Sequence, residues 1–214
     1  MLDLYFKIFL AYAIGSVSGS LVLGRLKSVD IRQLGSGNAG GTNALRTQGF
    51  WFALGVVIID IGKGALAAGW VPFLPWPSDA EPSARLVMAC ALAGVIGHCF
   101  PLWHGFRGGK GAATAVGAIA VLNPWVLVPM LGSWVISLLL TGFVGLATMV
   151  AGVSLVPTVL WMDVEGPWLF FAIFLAVFLV FTHRKNVSAM MRGEENRFEK
   201  AWLLRPRRRA DDEA

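Results

Sequence analysis

Three short segments of this chain concentrate the residues able to do chemistry, and all three are suited to holding anions. The first, residues 34–49, reads Leu-Gly-Ser-Gly-Asn-Ala-Gly-Gly-Thr-Asn-Ala-Leu-Arg-Thr-Gln-Gly. Its glycines permit backbone turns that gather several N–H groups on one concave side. Ser36, Asn38, Thr42 and Asn43 add short donors, and Arg46 adds a forked cation suited to phosphate. A helix starting near Asn43 would aim its N-terminus at the same spot. A flexible polar linker is the bland alternative, but such a linker rarely packs Asn, Thr and Arg so tightly among glycines.

The second segment, His98 to Thr114, repeats the recipe. Gly105, Gly108, Gly109 and Gly111 surround Arg107 and Lys110, and an apolar run follows at once. That pattern is a phosphate cradle at a helix N-terminus. It is no Walker A loop, because that motif needs Gly where His104 stands and Ser or Thr where Gly111 stands. Nucleotide hydrolysis is therefore not expected. His98 and His104 also fit a plain interfacial hydrogen-bonding role. In the third segment, His183 and Asn186 lie three apart on a helical end and share a face. His183 could take a proton, and Asn186 could hold a hydroxyl or a developing oxyanion. Glu194 and Glu195 could brace the loops by pairing with Arg.

The elements that must position these segments are membrane helices. Of 214 residues, 56% are hydrophobic and only 14% charged, with a mean hydropathy of +0.66. A soluble domain carries about a quarter charged residues. From Ala112 to Met162 there is no Asp, Glu, Lys or Arg, and roughly 20 residues already cross the hydrocarbon core. Several crossings must follow one another. The start of the chain lacks the basic region and cleavage site of a signal peptide, so residues 2–24 are expected to form the first transmembrane helix. Cys90 and Cys99 read as buried apolar thiols, and the ligand types show no metal-binding cluster.

Apolar stretches fall at about 2–24, 50–73, 86–102, 112–123, 125–141, 143–162 and 166–182. Asn123-Pro124 breaks the long run, since Pro lacks an N–H and disfavours helix at the residue before it. Short or tilted helices are expected on both sides. Lys and Arg gather at 25–46, at 107–110 and in the tail from Arg184, whereas the connection around Asp79 and Glu81 and that around Asp163 and Glu165 lack them. The positive-inside rule then gives about seven crossings in an all-α polytopic bundle, with the N-terminus outside and the C-terminus cytoplasmic. Residues 1–214 form one domain with a short basic cytoplasmic tail over 183–214, whose part from Asn186 to Leu204 could lie amphipathically on the inner surface. Gly15 and Gly19 permit close helix packing. Asp60 and Lys63, charged within the second stretch, must face the bundle interior; a structural ion pair and a site-supporting pair fit their spacing equally well.

In this order, the motifs resemble a known family across nearly the whole chain. Gly35-Ser-Gly-Asn-Ala-Gly-Gly-Thr-Asn43 with Arg46-Thr47, Asp60-x-x-Lys63-Gly64, Gly97-His98-x-Phe100-Pro101, Gly105-Phe-Arg-Gly-Gly-Lys-Gly111, and His183-Arg184-x-Asn186 with Arg192-Gly-Glu-Glu-Asn196 look like the acyl-phosphate-dependent glycerol-3-phosphate acyltransferases of bacteria, the PlsY family. The resemblance implies a seven-helix protein of the inner membrane with its active site open to the cytoplasm. It implies that Ser36, Arg46 and Lys110 bind the substrate anions, with Asn38, Arg107, Gly108 and Gly109 in the same cradles. Thr42, Asn43, His183 and Asn186 would position the attacking hydroxyl and the acyl group, His183 and Asn186 as the catalytic pair, and Glu194 or Glu195 would support the fold. Departures are small: Gly41 replaces a commoner Ala, Trp103-His104 replaces an aliphatic pair, and Lys185 replaces an acidic residue.

The implied reaction moves a fatty acyl group from acyl phosphate to the 1-hydroxyl of glycerol 3-phosphate, giving lysophosphatidic acid and phosphate. The expected partners are those two substrates and membrane lipid, with no metal, cofactor or nucleic acid; the oligomeric state is left open by the sequence, a monomer being compatible with it. No Gly-x-Ser-x-Gly elbow is present, nor a His followed five positions later by Asp, so direct attack without a covalent enzyme intermediate is expected. The competing class is a transporter of a phosphorylated solute, which broken helices and midplane charges would suit.

Overall fold

The computed structural model describes residues 2–75, 81–164, 166–199 and 201–204. Asp79, Glu165 and the basic tail beyond residue 204, used above to orient the chain, lie outside the described residues. Those residues form ten α-helices and no strand: α1 Leu2–Gly15, α2 Gly19–Leu26, α3 Gly41–Gln48, α4 Phe50–Gly69, α5 Ala84–Cys99, α6 Ala112–Leu122, α7 Pro124–Thr141, α8 Val144–Trp161, α9 Gly166–Thr182 and α10 Arg184–Met191. Each of the seven apolar stretches is helical. Among the described residues, four helices are long and apolar enough to cross a membrane, or six spans if each of two bent pairs counts as one.

The first span differs from the continuous helix expected over 2–24. It breaks at residues 16–18, and α1 and α2 meet at 47°. Such a break inside a bilayer must satisfy its freed backbone groups within the protein, and α4 supplies the partners. Lys63 Nζ donates to Val17 O at 2.8 Å, and Gly19 N–H donates to Asp60 Oδ1 at 3.1 Å. The carboxylate thus sits at the N-terminus of α2, where a helix favours negative charge.

The boundary at Asn123-Pro124 forms as its residues dictate: Asn123 caps α7 by accepting from Trp125 N–H, with Pro124 in the first helical position. Only one flanking helix is short. At 11 residues, α6 extends about 16 Å, roughly half the hydrocarbon thickness, whereas α7 has 18 residues.

Close packing rests on glycine at two junctions. A methyl at Gly15 would run into the backbone of Gly94 on α5, and one at Gly117 into the backbone of Ile61 on α4. The main core lies among α5, α6, α8 and α9 and includes Val95, Ile119, Leu155, Phe171 and Leu175. Large apolar side chains such as Ile58, Trp161 and Phe170 point outward, as expected where lipid is the neighbour.

After α9 the chain turns by 51° into α10. Among the described residues beyond α10 no further helix forms. The chain there straps across the α7–α8 turn, with Phe198 N–H donating to Gly142 O at 2.7 Å and Leu203 N–H to Leu139 O at 2.9 Å.

A candidate anion-binding active site

Every second connection between the apolar stretches reaches one cavity of about 200 Å³. Its lining runs from the first glycine loop (Ser36, Asn38, Thr42, Arg46) through Asp60 and His98 to Lys110 and Gly111. The wall closes with Val144, Gly145 and Thr148 of α8, then His183, Asn186, Glu195 and Asn196. Asp60, His98 and His183 are buried, whereas Ser36, Arg46 and Asn196 are exposed. The cavity therefore deepens from solvent into the bundle.

The first loop is held by one residue. Asn43 accepts from Ser36 N–H at 3.0 Å and donates to the carbonyls of Ile31, Leu34 and Asn38 at 3.2, 2.9 and 3.1 Å. Its amide hydrogens are spent inside the loop, so it shapes the cradle and has none left to donate to a substrate. Gly35 and Gly37 adopt positive φ of 55° and 70°, conformations that suit glycine. Arg46 donates to Asn196 O at 3.3 Å, joining the first and third segments.

In the second loop, Gly109 N–H donates to His98 O at 3.1 Å and Gly108 N–H to Cys99 O at 3.2 Å. The two glycines therefore serve the loop's own geometry. A methyl at Gly109 would overlap the His98 ring, and one at Gly108 the His98 carbonyl. Arg107 is exposed and lies apart from the cavity lining. The loop is fixed from outside by Arg32, whose Nη1 donates to His104 O at 3.1 Å and Arg107 O at 3.3 Å, while Asp30 holds the same guanidinium at 2.8 Å. That hydrogen-bonded partner keeps the Asp30 carboxyl below the usual carboxylate range. Gly111, at φ 92°, then starts α6, which directs its first N–H groups into the cavity.

Lys110 is the cation placed where those features converge. Its ammonium donates to Asn186 Oδ1, and Asn186 Nδ2 donates to Glu195 Oε1 at 2.7 Å. Burial pulls the Lys110 pKa down; Glu195 opposes that, and Arg46 and Lys185 add to it. The structure separates the two glutamates. Glu195 braces the site, whereas Glu194 makes an exposed pair with Arg192 at 2.7 Å, worth little in water. His183 Nδ1 lies 2.8 Å from Leu179 O. A carbonyl only accepts, so Nδ1 carries the hydrogen and Nε2 keeps a lone pair.

Asp60 and Lys63 pair at 3.0 Å, both buried, and Lys63 Nζ lies 2.7 Å from His98 Nδ1. The pair is therefore structural, at the helix break, and also supports the site through His98. The α8 wall carries little signal in the sequence, because Val144 and Gly145 have no polar group and the Thr148 hydroxyl is one of many along an apolar run. Its only signal was the Gly142-Phe143 break ahead of α8.

Fold and site together define a polytopic integral membrane protein whose polar connections meet in one cavity lined by Arg46 and Lys110. The chain belongs to the glycerol-3-phosphate acyltransferase family, whose model matches residues 5–193. It is 35% identical over 227 residues to a glycerol-3-phosphate acyltransferase of Chlorobaculum parvum, covering 92% of this chain and 97% of that one. A second such protein, from a Synechococcus strain, is 36% identical over 197 residues, covering 91% and 94%. The crystal structure of PlsY (YgiH), an integral membrane glycerol 3-phosphate acyltransferase in its glycerol 3-phosphate form, matches with a TM-score of 0.80 at 30% identity, covering 91% of this chain and 95% of that one. Its lysophosphatidic acid form matches with the same TM-score at 31% identity.

Proposed function

We propose that this protein transfers a fatty acyl group from acyl phosphate to the 1-hydroxyl of glycerol 3-phosphate, releasing lysophosphatidic acid and phosphate. The observation that carries this reading is the meeting of three separated polar segments in one cavity. Lys110, Arg46 and the α6 N-terminus stand there beside a buried His183. Two anions and a proton acceptor are what the reaction needs, because acyl phosphate is already activated. Holding both substrates together supplies most of the rest.

The glycerol oxygen attacks the acyl carbonyl carbon, forming the ester bond as the carbon–oxygen bond to phosphate breaks. The hydroxyl proton passes to His183 Nε2 or to the departing phosphate. Ser36, Asn38, Thr42, Arg46 and Lys110 grip the phosphoryl oxygens. Asn186 orients the hydroxyl, and Asn43, Gly108 and Gly109 shape the cradles. The acyl chain lies between helices, entering from lipid.

The same reading sets the chain in the bacterial cytoplasmic membrane with seven crossings, the N-terminus outside, and the cavity on the cytoplasmic face. All four connections that reach the cavity fall on the side that the basic loops mark as inner. Against transport stands the use made of Asp60 and Lys63, whose polar atoms serve the break in the first span.

The test is purified protein in detergent with glycerol 3-phosphate and palmitoyl phosphate, read out as lysophosphatidic acid. Product is expected with palmitoyl phosphate and not with palmitoyl-CoA. No product with either donor overturns the reading, and product with the CoA ester overturns the donor.

A further inference from the structure

We propose that His98 is a further substrate-binding residue, whose Nε2–H donates a hydrogen bond to a phosphoryl oxygen held in the cavity. The inference rests on the acyl-transfer reading for the identity of that oxygen, and on hydrogen-bond accounting for the donor itself.

A lysine ammonium has three hydrogens and accepts nothing. Those of Lys63 face Asp60 Oδ1 at 3.0 Å, Val17 O at 2.8 Å and His98 Nδ1 at 2.7 Å. Carboxylate and carbonyl oxygens are acceptors, and the third partner must be one too. Nδ1 of His98 therefore carries the lone pair, and the ring hydrogen sits on Nε2. The alternative, an Nδ1–H donating to Asp60 Oδ1, spans 3.5 Å and would set an N–H against the ammonium. Distance and charge both disfavour it.

His98 is 3% exposed and lines the cavity beside Lys110 and Gly111. Among the described residues, the sealed side-chain atoms without a partner are Asp3 Oδ1 and Thr114 Oγ1. No hydrogen bond to His98 Nε2 is present among the described residues, and the ring borders the cavity, so its hydrogen is left for a partner held there. A buried N–H left without an acceptor is costly, and an anionic oxygen is the partner this place offers. Gly109 leaves the ring its room, because any side chain there would overlap Nε2. His183 shows the opposite arrangement, with Nδ1 donating to Leu179 O and Nε2 an acceptor. One cavity thus holds two imidazoles fixed as complementary tautomers, one to give a hydrogen bond and one to receive a proton.

Kinetics of detergent-purified His98→Phe and His98→Gln test this, each substrate being titrated with the other saturating. His98→Phe is expected to lose roughly 100-fold in kcat/KM, the scale of one preorganised donor. His98→Gln, whose amide donates again, recovers much of the loss. The substrate whose KM rises identifies the oxygen, glycerol 3-phosphate or acyl phosphate. On the wild type, 15N NMR of the His98 ring should show a pyridine-like Nδ1 and a pyrrole-like Nε2, with Nε2 moving on addition of inorganic phosphate. A protonated Nδ1, an Nε2 indifferent to phosphate, or a His98→Phe enzyme with wild-type constants overturns the proposal. If the phenylalanine variant does not fold, the wild-type spectrum decides. If the wild type makes no lysophosphatidic acid, the acyl-transfer reading fails while the phosphate titration still judges the donor.

Discussion

The cavity has two walls built on opposite principles. The inner wall is Asp60 and His98, carried by α4 and α5 and backed by Lys63, all three at most 4% exposed. Its ionic groups satisfy one another and the broken first span, so its hydrogen bonds also hold helices together. The outer wall is Lys110, Asn186, Glu195, Arg46 and Asn196, contributed by loops, α3 and α10 and partly open to solvent. Its bonds join side chains that an arriving anion could claim. The difference teaches that charge in this membrane site has two uses. Where charge is sealed, as at Asp60 and Lys63, it builds the fold, and where it is reachable, as at Lys110, it stands open to an arriving anion.

The sharpest way to break that division is Lys110→Ala. The outer wall loses its half-buried cation and keeps only the exposed Arg46, and kcat/KM is expected to fall by roughly 1,000-fold, the upper range for one preorganised group, while the melting temperature stays near that of wild type. The control is Lys27→Ala, which removes an exposed cation lying 5.4 Å from the Phe52 ring centre and should leave the rate nearly unchanged. Equal losses would mean that general surface charge, not the cradle, draws the substrates.

Lys63→Met attacks the inner wall and should do the reverse. It strands the Asp60 carboxylate and the Val17 carbonyl, at a cost of about 3–5 kcal/mol. Thermal unfolding in detergent should show the loss, and Asp60→Asn combined with Lys63→Met should recover part of it. A variant as stable as wild type but inactive would move Lys63 to the catalytic side of the comparison.

Glu195→Gln separates the two glutamates more gently. Glu195 opposes the fall of the Lys110 pKa that burial causes. Removing its charge should lower that pKa further, so Lys110 loses its proton at lower pH and the alkaline limb of the rate profile moves down. Glu194→Gln, in its exposed pair with Arg192, should leave that limb in place. A shift from Glu194 instead of Glu195 would reverse the assignment.

The helices and the convergence of the three polar segments were legible in sequence because bilayer thickness, loop charge and glycine chemistry each act locally. The break in the first span was not, since from Ile8 to Gly24 the chain holds only apolar and small residues and one tyrosine. Only Asp60 and Lys63, about forty residues further on, make a break tolerable. Asn43 and Arg107 looked like ligands because their types suit anions. Type does not tell that Asn43 is engaged by four backbone groups, or that Arg107 lies outside the cavity lining. His98 was equally ambiguous, because its role depends on which ring nitrogen Lys63 reaches.

The smallest expected effect comes from the strap over residues 197–204, which joins neither wall. Trp202 Nε1 donates to Leu140 O at 3.1 Å, and the Arg197 guanidinium stacks between the Trp202 and Phe143 rings, 3.9 and 4.5 Å from their centres. These contacts cover the last carbonyls of α7, which no intrahelical donor can reach. Trp202→Ala removes one hydrogen bond and one side of the stacked cation, a loss of about 1–2 kcal/mol, visible as a modest drop in melting temperature. Both KM values should hold, because Val144 and Gly145 reach the cavity from α8, whose position depends chiefly on its packing against α7 and α9. If either KM rises instead, the strap is positioning the α8 wall, and the outer wall extends to the far end of the described chain.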